Sequence, residues 1–226
     1  MPAKARVIAV SEDLRTRARL VHDRLCAAYG CPIPYFHDLD PLSEMVSSLL
    51  SHRTRNAESG KAFKQLRARF GTWEEVRDAP TAEVEACVAP CTWPEQKAPR
   101  VQQALRAITE RRGGELSLDF LADWPVVEAR EWLEEIPGVG PKTSAATLLF
   151  SRLRMPALPV DSHHHRVAIR LGLIPANVRQ RPLMSGFIQL EHGDRIGWGP
   201  PTVPIILHAG GRPPLCMTAR CDRRFF

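Results

Sequence analysis

The chain has 226 residues and a net charge of +6, with 44% hydrophobic and 25% charged residues. These values are typical of a globular protein with room for one sizeable core or two smaller lobes, and the positive charge favours polyanionic partners. No apolar run is long enough to span a bilayer, and the N-terminus lacks the apolar core of a secretory signal. We therefore expect no membrane association and a reducing cytoplasmic compartment, in which the six cysteines need not form disulfides.

Cap residues followed by apolar residues at helical spacing predict the first two helices. Ser11, with two acidic residues after it, predicts a helix that ends near Gly30. Asp40 before Pro41 predicts a second helix N-terminus, because proline is well tolerated in the first helical position. This second helix carries a buried apolar face and ends in the segment 51–56.

The central part of the chain continues the pattern of short helices. We predict a helix over 57–70, and then helix starts near Thr72, near Pro80, after the loop 91–98, and at Trp124. The connections are short, and no segment alternates between apolar and polar residues as a half-buried strand does. The sequence therefore predicts an all-α fold.

A tight turn separates the next two predicted helices. In Pro137-Gly138-Val139-Gly140 two glycines allow positive φ and leave the backbone uncovered, and the following helix carries Lys142 in its first turn. Free amides and a positive dipole end make such a helix start a potential phosphate site. A turn of this kind is also found as an ordinary corner between two helices, so taken alone it does not identify a function.

Asp161 caps the last clearly predicted helix, which runs from Ser162 to Leu171 and begins with three histidines. Adjacent residues on a helix point in different directions, so His163–His165 cannot converge on one ion, and we predict no metal site there. Taken singly, a lysine in a first turn is usually solvated and an aspartate before a helix is usually only a cap.

Together, these two blocks resemble the endonuclease III family of helix-hairpin-helix DNA glycosylases. That family carries a hairpin close to Pro-Gly-Val-Gly-x-Lys-Thr-Ala and then Val-Asp-Thr-His-x-x-Arg-Val, with Ser144 and Ser162 as small departures here. The resemblance extends to about Leu173. It implies a two-lobed helical helix-hairpin-helix glycosylase fold with a cleft between the lobes, in which 37–152 form a central domain and 1–36 with 153–226 form the second lobe.

The resemblance also implies a function. It implies a base excision repair glycosylase and abasic-site lyase acting on double-stranded DNA with damaged or abasic sites, with oxidised pyrimidines as the substrate class. Lys142 would form a Schiff base with the sugar, and Asp161 would take its proton and stabilise positive charge on the sugar. A helix N-terminus away from bulk water would favour the neutral amine. We expect a cytoplasmic monomer, associated with the nucleoid if the organism is bacterial.

The DNA-binding residues that the resemblance implies lie in the hairpin, in the segment after the second helix and beside Asp161; they are Arg53, Gly138, Val139, Gly140, Thr143 and His163. The hairpin would offer amides and the Thr143 hydroxyl to a phosphate, and His163 would help to orient the site. Arg53 stands where the family has a glutamine that enters the gap left by a flipped base. An arginine can stack on bases or pair with phosphate, and the alternative is a solvated basic corner.

The C-terminal part departs from the family, whose members often end with Cys-x6-Cys-x2-Cys-x5-Cys around a [4Fe–4S] cluster. Only Cys216 and Cys221 occur in this tail, and such a cluster needs four thiolates. We therefore expect no intact cluster, while the hairpin carbonyls could hold a monovalent cation as in related hairpins.

Two other functions are compatible with these features. One is a non-catalytic or weakly active DNA-binding protein with a degenerate C-terminus, which Arg53 and the short tail favour. The other is a monofunctional glycosylase of the mismatch or adenine type, against which Lys142 argues.

Overall fold

The computed structural model describes residues 11–30 and 38–176, and within these residues it is helical throughout, with no strand. The all-α prediction is confirmed. Nine α-helices and one 3-10 helix occur in the described segments. The α-helices are α1 (Glu12–Tyr29), α2 (Pro41–Ser51), α3 (Asn56–Arg69), α4 (Trp73–Asp78), α5 (Thr81–Val88), α6 (Pro94–Arg111), α7 (Val126–Glu134), α8 (Pro141–Phe150) and α9 (Ser162–Arg170), and the 3-10 helix spans Asp119–Asp123.

The predicted helix starts are confirmed by the side chains that cap them. Ser11 accepts a hydrogen bond from the amide of the third residue beyond it, and Thr72 does the same at the start of α4. At α2 the Asp40 carboxylate accepts the Ser43 amide at 2.9 Å, with Pro41 in the first helical position. Each cap satisfies an amide that has no partner inside the helix, which is why these short polar residues fix where the helices begin.

Residues Leu39–Ala157 form one compact unit that contains α2 to α8. Its core is built from the apolar faces of these helices, and fully buried members include Met45, Leu50, Leu66, Leu105, Ile108, Leu133 and Leu148. Helix α2 packs against α3 and α8, and α6 packs against α4 and α5. The hairpin and the segment after α2 therefore belong to the same packed unit.

The second unit contains α1 and α9 among the described residues. The Arg17 guanidinium of α1 donates to the carbonyl of Gly172, just after α9, at 3.2 Å. Gly172 has φ of +66°, and a Cβ there would lie 2.2 Å from the Arg17 side chain. The glycine that was predicted to end this helix is therefore favoured by its backbone angle, whereas the flexible Arg17 side chain could move aside for a larger residue.

The structure differs from the sequence interpretation in two places. Helix α6 begins at Pro94, inside the predicted loop 91–98, and so includes Lys97 in its first turn. The 3-10 helix at Asp119–Asp123 was not predicted, because a single short turn of this kind leaves no repeating apolar pattern in the sequence.

Three further expectations concern the iron–sulfur cluster, the cysteines and the membrane. Cys216 and Cys221 lie outside the described residues, so the prediction about an iron–sulfur cluster stays a prediction. Among the described cysteines, Cys87 and Cys91 are free and Cys26 is disulfide-bonded. No helix among the described residues combines the length and the apolar character that crossing a bilayer requires.

Candidate functional site

The hairpin between α7 and α8 is a tight turn with an exposed tip. Gly138 is exposed with φ of +84°, a value that glycine adopts without strain. Val139 is only 5% exposed, and its amide donates to the Ile136 carbonyl at 3.0 Å. The valine thus anchors the turn in the core, while the glycines on either side keep their backbone near the surface.

A polar network fastens the two helices of the hairpin to each other. The Arg130 guanidinium of α7 lies 3.0 Å from the Glu134 carboxylate one turn later, and Arg130 is 8% exposed. The Ser144 hydroxyl of α8 donates to the same Glu134 carboxylate at 3.0 Å. Ser144, which stands where the resembling family has alanine, therefore adds a hydrogen bond that alanine could not make.

Lys142 is the second residue of α8, directly after the exposed turn. Its side chain is exposed, whereas the next two residues, Thr143 and Ser144, are buried. The expectation that this amine lies away from bulk water is therefore not met in the free protein. An exposed amine at a helix start beside uncovered backbone is nevertheless accessible to a bound polyanion.

The Thr143 hydroxyl already has a partner inside the protein. Thr143 is 2% exposed, and its Oγ1 lies 3.0 Å from Nε2 of His52. The predicted phosphate contacts from this hydroxyl and from the Val139 amide are thus occupied by internal hydrogen bonds. Gly138 and Gly140 donate no amide hydrogen bond to another described residue, and both have exposed or half-exposed backbone. These two amides are what the hairpin can offer to an anion.

Arg53 occupies the loop between α2 and α3. Its φ is +52°, and its side chain is exposed with the guanidinium carbon 5.7 Å from the ring centre of Trp93. Trp93 has φ of +55° and is 44% exposed, which is unusual for so large an apolar ring. The sequence interpretation did not single out Trp93 as a functional residue. The signal available was a tryptophan directly before the proline that opens α6.

Lys97 fixes the loop that carries Arg53. The ammonium is only 6% exposed and donates to the carbonyls of Leu50 and His52 at 2.5 and 2.8 Å, and to the Thr54 hydroxyl at 2.5 Å. Burial lowers the pKa of Lys97, and three oxygen acceptors compensate for the water it has lost. The Arg53 loop is thus held by one buried cation in α6.

His52 lies in a positively charged environment. Burial is the largest cause that lowers its pKa, and the charges of Lys142, Lys97 and Arg100 lower it further. The ring is therefore neutral at neutral pH, so one nitrogen donates and the other accepts. The same cations give this part of Leu39–Ala157 the positive potential that attracts a phosphate backbone.

Asp161 begins α9 in the other unit and accepts the His164 amide through Oδ1 at 2.7 Å. The bond holds the carboxylate in one orientation. Its side chain is half-exposed, and Oδ2 makes no hydrogen bond to another residue in the part of the chain that is described. The residue is therefore a helix cap whose second oxygen is available to a ligand.

The three histidines after Asp161 have different surroundings. Nδ1 of His163 lies 2.8 Å from the Arg166 guanidinium one turn later. Burial lowers the pKa of His164, and the neighbouring Asp161 charge partly opposes this. Across residues 11–30 and 38–176, no three His, Cys, Asp or Glu side chains lie close enough to hold a metal ion.

Comparison with known proteins covers both blocks of the site. A family model described as HhH-GPD superfamily base excision DNA repair protein matches residues 46–186, which include Lys142 and Asp161. Endonuclease III of Thermotoga maritima is 33% identical over 137 residues, which are 61% of this chain and 59% of that protein. Endonuclease III of a Synechocystis species is 26% identical over 223 residues, covering 96% of this chain and 93% of the relative. The resemblance stated from the motifs is confirmed.

The fold has close counterparts among solved structures. A trapped endonuclease III–DNA covalent intermediate aligns with a TM-score of 0.69 and 20% identity over 93% of each chain. At this identity the likeness shows the fold alone, and it confirms the helix-hairpin-helix glycosylase fold. The matched segments span between 52% and 59% of the length of the first three curated relatives.

Proposed function

Because the chain belongs to the HhH-GPD superfamily of base excision DNA repair proteins, we propose that it is a DNA glycosylase and abasic-site lyase with Lys142 as its nucleophile. The substrate class is double-stranded DNA that carries damaged bases, oxidised pyrimidines foremost, or abasic sites. The observation that carries the proposal is the exposed Lys142 amine, which stands in the first turn of α8 beside the uncovered Gly138–Gly140 backbone.

The reaction begins with a neutral Lys142 amine. Its Nζ attacks C1′ of the damaged nucleoside, and the bond between C1′ and the base breaks with its electron pair leaving on the base, which takes up a proton. The sugar ring then opens, and C1′ and Nζ form a protonated Schiff base. Loss of a proton from C2′ and cleavage of the bond to the 3′ phosphate follow, after which water releases the sugar fragment and regenerates the amine.

Asp161 is the second residue in this proposal. An ionised carboxylate stabilises the positive charge that develops on the sugar, and it can take the proton that Lys142 must lose. The capping bond from the His164 amide holds Oδ1 in place, which leaves Oδ2 to act. The hydrogen bond by which Asp161 caps α9 therefore also orients its carboxylate.

DNA is held by backbone amides and by the Arg53 loop in this proposal. The amides of Gly138 and Gly140 bind one phosphate, a contact that positions the strand without reading its sequence. Arg53 and Trp93, whose guanidinium carbon and ring centre lie 5.7 Å apart, present a cation beside an aromatic ring, which suits the space left in a duplex when a base leaves the stack. Arg53 therefore takes a wedging role rather than that of a solvated corner.

Borohydride trapping tests the proposal, because borohydride reduces the Schiff base to a stable covalent adduct. The substrates are duplexes with an abasic site, thymine glycol, 8-oxoguanine or a T:G mismatch, with an undamaged duplex as the reference. Lys142→Gln is expected to abolish the adduct. Lys61→Gln, at an exposed position of α3, removes the same charge elsewhere and should retain the adduct. Asp161→Asn keeps a good cap and removes the carboxylate, so the rate should fall by roughly a hundredfold or more.

The outcomes separate the candidate functions. An adduct on abasic and oxidised-pyrimidine DNA that disappears with Lys142→Gln supports the proposal. Tight binding to abasic DNA without any adduct supports a non-catalytic DNA-binding protein instead. Base release without an adduct or strand cleavage supports a monofunctional glycosylase, and a preference for 8-oxoguanine or T:G would overturn only the proposed substrate class.

A further inference from the structure

The backbone of His52 is fixed to helix α6. Its carbonyl accepts a hydrogen bond at 2.8 Å from the ammonium of Lys97, which also binds the carbonyl of Leu50. Charge-assisted hydrogen bonds to a buried ammonium are among the strongest that a loop backbone can make. His52 therefore has a defined position, although it lies just beyond the end of α2.

The ring of His52 reaches a different helix. Nε2 lies 3.0 Å from Oγ1 of Thr143, the third residue of α8, which is 91 residues away in the sequence. Thr143 is 2% exposed, so water cannot replace this hydrogen bond if it is lost. One residue thus ties α6 to α8, through its carbonyl at one end and its ring at the other.

Each end of this connection adjoins a residue with a proposed role in catalysis or DNA binding, since Arg53 follows His52 and Lys142 precedes Thr143. We propose that His52 is a positioning residue that holds the first turn of α8, and with it Lys142, in a fixed relation to the Arg53 loop. The role rests on the proposed function, because it concerns the placement of the proposed nucleophile.

The positive charges around the His52 ring set the pH range in which the ring is neutral and can hold Thr143. Lys142 faces His52 from α8, and Lys97 and Arg100 face it from α6, so a proton on the ring would add a fourth positive charge. The pKa of His52 is accordingly below its ordinary value, and the ring is neutral around neutral pH. Positioning is therefore expected at neutral pH and is weakened in acid, when the protonated ring is repelled by these three cations.

The test is the single-turnover rate of Schiff-base trapping on an abasic duplex, measured across pH with cyanoborohydride, which survives in acid where borohydride decomposes. His52→Phe keeps the ring and removes its nitrogens, and Thr143→Val keeps the shape and removes the hydroxyl. Each should slow trapping by about tenfold or more, because small displacements of a nucleophile are costly. The Kd for the duplex should stay within about twofold, since binding does not require the connection.

Three further measurements separate positioning from a general loss of structure. The double variant should be no slower than either single variant, because both remove the same hydrogen bond. His52→Gln and Thr143→Ser retain hydrogen-bonding groups and should recover most of the rate. The rate should fall in acid in both proteins, because the Lys142 amine must be neutral, but it should fall more steeply in the wild type, in which the His52 ring is protonated as well.

Unchanged trapping by His52→Phe, additive losses in the double variant, or equal losses in Thr143→Ser and Thr143→Val would each overturn the positioning role. These results would leave Lys142 chemistry standing as long as the wild type forms an adduct. Failure of the wild type to form an adduct would overturn the proposed function, and the role of His52 with it.

Discussion

Glu44 is a carboxylic acid that the fold keeps from ionising. It lies in α2 at 5% exposure, and its Oε1 accepts a hydrogen bond from the Ser48 hydroxyl at 3.3 Å. Burial raises the pKa of Glu44 from 4.5 to about 8, and the Ser48 hydrogen bond and the Arg154 charge oppose this only in part. The folded protein therefore holds a proton on Glu44 at a pH where the unfolded chain has lost it.

This difference links stability to pH. Because the folded-state pKa is the higher one, the stabilising contribution is complete below 4.5 and is lost as pH rises toward 8. At about pH 7 the loss is about 3 kcal/mol, obtained from roughly 2.5 pH units at about 1.36 kcal/mol each. Glu44→Gln mimics the neutral acid and cannot ionise, so its free energy of unfolding should exceed that of the wild type by this amount.

Urea unfolding followed by tryptophan fluorescence at a series of pH values measures the effect. The informative quantity is the difference in unfolding free energy between Glu44→Gln and the wild type, which should be near zero below pH 4.5, grow with pH through about pH 7, and level off only above about pH 8. Glu131→Gln, which changes an exposed acid on α7, should show no such growth. A difference that does not change with pH, or one that Glu131→Gln reproduces, would refute a neutral buried Glu44.

Three other changes should have measurable effects. Gly138→Ala should lower the unfolding free energy in urea by about 1 kcal/mol, because an alanine is strained at a φ of +84°. The added Cβ would meet only Leu49, at an ordinary 3.9 Å, so no steric clash contributes. An unchanged unfolding free energy would contradict the geometry of the turn. Lys97→Met should lower the unfolding free energy by roughly 3 kcal/mol, because buried oxygens of the Arg53 loop lose their hydrogen-bond donor. A loss smaller than that caused by replacing a surface lysine would contradict the role of Lys97 in holding this loop. Protein purified without oxygen should contain no stoichiometric iron and no absorbance at the blue end of the visible spectrum, since Cys216 and Cys221 supply two of four required thiolates; iron with such a band would disprove this.

The helix starts were predictable because their signals are local. Asp40 and Asp161 each bond an amide three residues later, so the side chain and its partner lie in one short stretch of sequence. The position of Lys142 near the start of α8 was predictable for the same reason, because the glycines just before it indicate the hairpin turn. Assigning catalysis to Lys142 and Asp161 came from the resemblance and stays a prediction.

The connections that shape the site were not predictable from local patterns. His52 meets Thr143 across 91 residues, and Lys97 meets Leu50 across 47, so each pair depends on how the helices pack. Lys97 and Lys142 each lie in the first turn of a helix, but packing buries the first and leaves the second exposed. The Thr143 hydroxyl was accordingly expected to bind phosphate, whereas packing gives it a histidine.

Arg53 and Trp93 face each other with left-handed backbones, which non-glycine residues rarely adopt. Each such residue costs about 1–3 kcal/mol, and the cost is incurred when the protein folds. Under the proposed wedging role, the free protein already holds these two side chains in place, and a duplex need not order their loops on arrival. In that proposal a damaged site differs from an intact one in how easily the DNA gives up its base, so discrimination rests more on the duplex than on any rearrangement of the protein.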